Sequence, residues 1–110
     1  MKYLITESQI DKIIFRYLDN QDFIQVENNN KIYFLNSEGD KYSQIKYDMD
    51  TDWCIIDITL VKEVSNFFSI ESPESKNIIV KWVENTLQTR IGNKMSAMHP
   101  RPLILRIPSN

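Results

Sequence analysis

The period of apolar and polar positions changes along this chain, and each change marks an element. Ile10, Ile13, Ile14, Tyr17 and Leu18 recur at i, i+3, i+4, i+7 and i+8, the spacing of one apolar stripe on a helix. Thr6 and Gln9 stand just before it as a T-x-x-Q capping box, with Ile5 and Ile10 at the positions of a hydrophobic staple. Phe15 falls off the stripe, which makes it a candidate anchor for a partner.

Beyond Asn20 the period drops to that of strands. "FIQVE", "KIYFLN", "KYSQIKY" and "WCIIDI" are rich in Ile, Val, Tyr, Phe and Trp, and clusters of Asn, Gly and Asp separate them. The connections are too short for crossover helices, so a four-stranded antiparallel meander is expected. Alternation places Cys54, Ile56 and Ile58 on the core face and Trp53, Ile55 and Asp57 on the other. Trp53 and Ile55 are therefore candidates for a second apolar surface, covered by a helix or by a partner.

Helical spacing then returns. Leu60, Val64, Phe67 and Phe68 form one face behind Thr59 as N-cap. A longer helix is expected to open with Ser72 at the cap and Pro73 at the first helical position, and to close at Gly92, with Arg90 near the negative end of its dipole. Its stripe is Ile79, Val83 and Leu87, widened by Ile78 and Trp82. Residues 93–101 read as a loose connection. Leu103, Ile104 and Leu105, between Pro102 and Pro108, read as a last strand at a sheet edge. The expected fold is thus α+β: an N-terminal helix, a four-stranded antiparallel meander, two helices and a C-terminal edge strand. It is one domain over residues 1–110, with 93–110 as an extended arm plus edge strand.

Composition supports a globular chain. Of its 110 residues 42% are hydrophobic and 25% charged, a balance that excludes a disordered segment. Apolar runs stay far below the roughly 20 residues needed to cross a bilayer. The start, Met1 to Glu7, has too short an apolar stretch for a secretory signal. Cys54 is the one cysteine, which rules out an internal disulfide and suits a buried thiol in a reducing, cytoplasmic setting.

Charge changes the picture more. Residues 1–75 hold 7 Lys/Arg against 14 Asp/Glu, while residues 76–110 hold 6 against the single Glu84. The basic end can fold over the protein's own acidic part or over that of a second copy, and self-complementarity is the preferred reading. Arg90, Lys94, Arg101 and Arg106 are accordingly candidate partner-binding residues. With Lys81 they are also the place where nucleic acid would bind.

Catalytic constellations fail on inspection. Asp48, Asp50 and Asp52 have the 1-3-5 spacing of a calcium loop, but Trp53 stands where the sixth position needs glycine and Thr59 where the twelfth needs glutamate. An acidic hairpin turn is the better account. His99 is the one histidine, and with Cys54 as the one cysteine no zinc set can be assembled from these two residue types alone. "HPRP" describes a stiff connection with outward side chains, so His99 reads as incidental. The two glycines, Gly39 and Gly92, form no phosphate loop. Asp57 with Lys46 is the least implausible nuclease-like pair, yet it lacks a second carboxylate, and Asp57 reads as a solvent-facing strand residue. Tyr33, Tyr42, Tyr47 and Trp53 lie among too many acids for a base-stacking platform.

The opening "MKYLITESQ", Met1 to Gln9, resembles the starts of short uncharacterised proteins of large tailed bacteriophages, particularly marine ones. The resemblance implies a small intracellular phage product such as an accessory virion component or a host-takeover factor, and it carries no catalytic residues. The expectation is a non-enzymatic protein-interaction module without metal or cofactor, whose partner is another protein or a second copy of itself. The alternatives are a nucleic-acid binder using the basic C-terminal third and a carboxylate-based enzyme.

Overall fold

The computed structural model describes residues 7–37, 39–91, 96–100 and 103–104. Helix α1 (Glu7–Asp19) leads into strands β1 (Ile24–Asn28) and β2 (Lys31–Leu35). The hairpin between them turns on Asn29 and Asn30, both at positive φ (53° and 61°). Asparagine tolerates that region, and two such residues in succession give the turn that matches strand twist. Strands β3 (Tyr42–Ser43), β4 (Ile45–Asp48) and β5 (Trp53–Asp57) follow, then helices α2 (Ile58–Phe68) and α3 (Ser72–Leu87), and finally β6 (Ser96–His99) and β7 (Leu103–Ile104).

The antiparallel meander is present as β1-β2-β4-β5, but the sheet does not stop there. β6 adds to β5 in parallel, giving a mixed five-stranded sheet of order β1-β2-β4-β5-β6. A parallel neighbour requires a crossover, and α2 and α3 supply it. Thus the expected loose connection over 93–101 contains a strand, and the sheet edge belongs to Ser96–His99. Leu103–Ile104 pairs instead with β3 in a separate two-stranded ribbon, Tyr42 opposite Ile104 and Ser43 opposite Leu103. A bulge separates the two sheets: Phe34 is paired with Ile45, yet its carbonyl also accepts from the Gln44 N–H at 2.8 Å. Two residues opposing one bends the strand and redirects β3. The buried Ser43 hydroxyl lies against the Phe34 and Ile45 carbonyls and satisfies the interrupted ladder.

All three helices contribute to one layer. Its core with the sheet joins Phe34, Ile45, Tyr47, Cys54 and Ile56 to Ile14, Leu18, Leu60, Val61, Val64 and the α3 residues Ile78, Ile79, Val80, Trp82 and Val83. Residues buried on nearly every side of α3 make it the central helix, with α1 and α2 packed on it. Trp82 stacks near Phe34 (5.4 Å) and Phe23 (5.7 Å) and donates its indole N–H to Asp19 at 2.9 Å, tying α3 to the end of α1.

Helix boundaries depart from the expected caps for local reasons. Asp57, not Thr59, caps α2; its carboxylate accepts from the Thr59 N–H at 2.8 Å. Asp57 is therefore buried, and not the solvent-facing residue that alternation suggests. Ser72 is the first residue of α3, behind Glu71 as N-cap, and Pro73 stands in the first turn. The helix ends at Gln88 in the left-handed region, with the Gln88 and Thr89 N–H groups both returning to the Glu84 carbonyl. The Ile91 N–H then donates to the Glu84 carboxylate at 2.9 Å, which turns the chain away before Gly92. The C-cap is therefore Gln88 and not the expected Gly92; Ile5 and Thr6 of the first helix's staple and capping box, and Leu105 with its flanking prolines, lie outside the described residues.

Candidate functional site

The most exposed large apolar residue among those described, Phe67, lies where α1 meets α2; Tyr42, 50% exposed, is on β3. Ile13 and Tyr17 lie one turn apart on α1. The Tyr17 ring stands 5.0 Å from Phe67 and 5.4 Å from Phe68, and those two rings are 4.9 Å apart. Phe67 is 68% exposed and Ile13 46% exposed. Both belong to stripes expected to be buried, and for Phe67 the contact between α2 and α3 accounts for the difference. Ser65 of α2 and Ser75 of α3 are buried with their hydroxyls 2.7 Å apart. This close approach of small residues rotates α2 so that Val61, Val64 and Ser65 face α3 and the sheet, leaving Phe67 outside. The Tyr17 hydroxyl bonds Glu63; burial, and then the Glu63 charge and hydrogen bond, push its pKa above the ordinary tyrosine value. A polar rim on an aromatic patch is the anatomy of a protein-binding surface.

The second sheet face is the other apolar surface. Trp53 and Ile55 are half-buried there, and Lys46 and Asp48 of β4 separate them from Val26 and the buried Tyr33 on the same face. Phe15, the off-stripe residue of α1, is half-buried against the core.

Polar side chains mostly serve structure. The acidic turn holds itself together: the Asp50 N–H donates to Asp48 at 2.9 Å, and Asn30 donates to Asp50 at 3.3 Å. The buried Tyr47 hydroxyl donates to Asp52, which has φ of 58°, and lies 3.5 Å from the Thr89 hydroxyl. Burial and the Asp52 bond raise the Tyr47 pKa. Among the described residues no group of three or more His, Cys, Asp and Glu is placed to hold a metal ion. Cys54 is fully buried, and burial followed by the Glu84 charge pushes its thiol up to about 12, far from a nucleophilic thiolate.

His99 is not in a loop; it is the last residue of β6, half-buried, and its register partner on β5 is Asp57. The histidine thus stands on the strand beside a buried carboxylate, though that carboxylate is engaged in capping α2. Lys46 pairs with Ile55, one diagonal from Asp57.

The described part of the basic third is mixed in charge. Lys81 forms an ion pair with Asp11 at 3.3 Å, and Arg90 is exposed just beyond α3. Both line a shallow open cleft of about 560 Å³ with Glu84, Asn85, Gln88 and Thr89, so an acid sits among the cations. Lys94, Arg101 and Arg106 lie outside the described residues.

No helix among the described residues is long and apolar enough to cross a membrane. Comparison with protein-family models, with curated proteins and with solved structures yields no match.

Proposed function

We propose that this chain is a non-enzymatic protein-interaction module that engages its partner through the aromatic patch of Ile13, Tyr17, Phe67 and Phe68. One observation carries the reading: Phe67 is 68% exposed while in ring contact with two other aromatics. A lone exposed apolar residue is ordinary, but an exposed aromatic backed by a rigid cluster resembles an interface anchor. Covering such a ring is worth about 1.5–3 kcal/mol, which the isolated monomer leaves unused. The second sheet face, with Trp53 and Ile55, supports the same class of function. The resemblance of Met1–Gln9 to phage proteins favours an accessory, virion or host-takeover role, and the unpaired Cys54 suits the reducing cytoplasm of a host.

Comparative capture tests the proposal. Wild-type protein, Phe67→Asp and Ile55→Lys are immobilised and exposed to host extract. The expected outcome is a partner held by wild type, lost with Phe67→Asp and kept in part with Ile55→Lys. Identical capture by all three folded proteins would refute an aromatic docking site.

A further inference from the structure

Among the described residues strand β1 has a neighbour on one side only, since the sheet order begins with it. The ladder decides which of its backbone groups are used. The Phe34 carbonyl points at β4, because it accepts from Gln44. Hydrogen-bonding direction alternates along a strand, so Tyr33 and Leu35 point at β1. Their register partners Val26 and Ile24 point back at β2. The N–H and C=O groups of Gln25 and Glu27 are thereby left facing outward. Natural edges are blunted by proline, by charge (lysine above all) or by a bulge, and residues 24–28, Ile-Gln-Val-Glu-Asn, carry only the single charge of Glu27.

We infer that the β1 edge is a strand-addition surface for a second copy of this chain, paired antiparallel about a two-fold axis at Val26. In that register Gln25 stands opposite Glu27 of the partner copy, and each such pair exchanges both backbone bonds. The outward groups of both strands are then all used. Side chains agree with this choice. Gln25 and Glu27 are both exposed and meet as amide and carboxylate across the pair, while Val26 meets Val26 on the second sheet face. The competing registers are worse. An axis at Glu27 sets like charges directly opposite. An axis at Gln25 brings Glu27 against Phe23, whose ring is held 6.4 Å from Phe34 and 5.7 Å from Trp82 in its own molecule. The dimer joins two sheets into one of ten strands and brings Val26 and Tyr33 of both copies together on the second face. This surface is separate from the Phe67 patch, so either proposal can fail without the other.

Sedimentation equilibrium of the full chain across the micromolar range, with two sets of variants, tests the inference. Wild type is expected to show a concentration-dependent monomer–dimer equilibrium. Gln25→Pro removes an outward N–H that the fold does not use, so it should keep the wild-type circular dichroism and melting transition while sedimenting as a monomer. Val26→Cys should yield a disulfide-linked dimer on mild oxidation, because residues facing each other in a non-hydrogen-bonded pair stand at bridging distance, whereas Gln25→Cys should not. A wild-type chain that is monomeric throughout, a folded Gln25→Pro that still dimerises, or cross-linking at Gln25→Cys in preference to Val26→Cys would each overturn the inference.

Discussion

Asp57 and Cys54 sit three residues apart on β5 and show how burial assigns roles to chemically capable side chains. Asp57 spends its carboxylate on the Thr59 N–H, satisfying a donor that the first turn of α2 would otherwise leave open. Replacing Asp57 with alanine should lower stability by about 1–2 kcal/mol in urea titration, and replacement with asparagine should recover most of it. Cys54, with its thiol pushed up to about 12, should resist disulfide reagents at pH 8 in the native protein and react at once in denaturant. The same shift sets a pH dependence. The folded thiol holds its proton more tightly than the unfolded one, so its contribution is complete below about 9 and is lost as pH rises toward about 12. The raised tyrosines Tyr17 and Tyr47 act in the same direction. At this scale the sequence is only partly readable. Asp57 and Thr59 are both good caps two positions apart, and Phe67, at helical spacing from Leu60 and Val64, falls on the buried stripe by pattern alone. Only the tertiary contact through Ser65 and Ser75 settles the rotation that turns Phe67 outward.

Among the elements, the meander and all three helices follow from periodicity and turn chemistry, since Asn29–Asn30 and the apolar stripes are local signals. β6 does not. Ser96-Ala97-Met98-His99 contains no β-branched or aromatic residue, and it becomes a strand because the α2–α3 crossover returns the chain beside β5. The parallel pairing is a long-range outcome, invisible to a short window. The α2–α3 contact itself is testable. Ser65→Ala or Ser75→Ala alone leaves a buried hydroxyl without its partner, so the two single costs should sum to more than the cost of the double substitution. A double-mutant cycle in denaturant should return a coupling of about 1 kcal/mol; strict additivity would mean that the hydroxyl pair contributes nothing beyond packing.

For the whole molecule, one sheet face and three helices form the main core, and among the described residues the uncovered apolar groups include the Phe67 corner, part of the second sheet face and Tyr42 on β3. The sequence identified Trp53 and Ile55 as partly uncovered because strand alternation is local, and missed the Phe67 patch because helix rotation is not. The charge division of the chain was legible at once, but Lys81 is already paired with Asp11 and Glu84 shares the cleft with Arg90. An apolar patch and a basic surface respond to salt in opposite ways: cationic contacts with nucleic acid weaken steeply as salt rises, and aromatic burial does not. The most direct test is the affinity of the captured partner for wild type, Phe67→Asp and Arg90→Glu, measured by calorimetry at low and high salt. A central aromatic anchor is worth about 2 kcal/mol, so Phe67→Asp should weaken binding about 30-fold, while Arg90→Glu and added salt change it little. Binding that survives Phe67→Asp but collapses with Arg90→Glu and with salt would contradict the account.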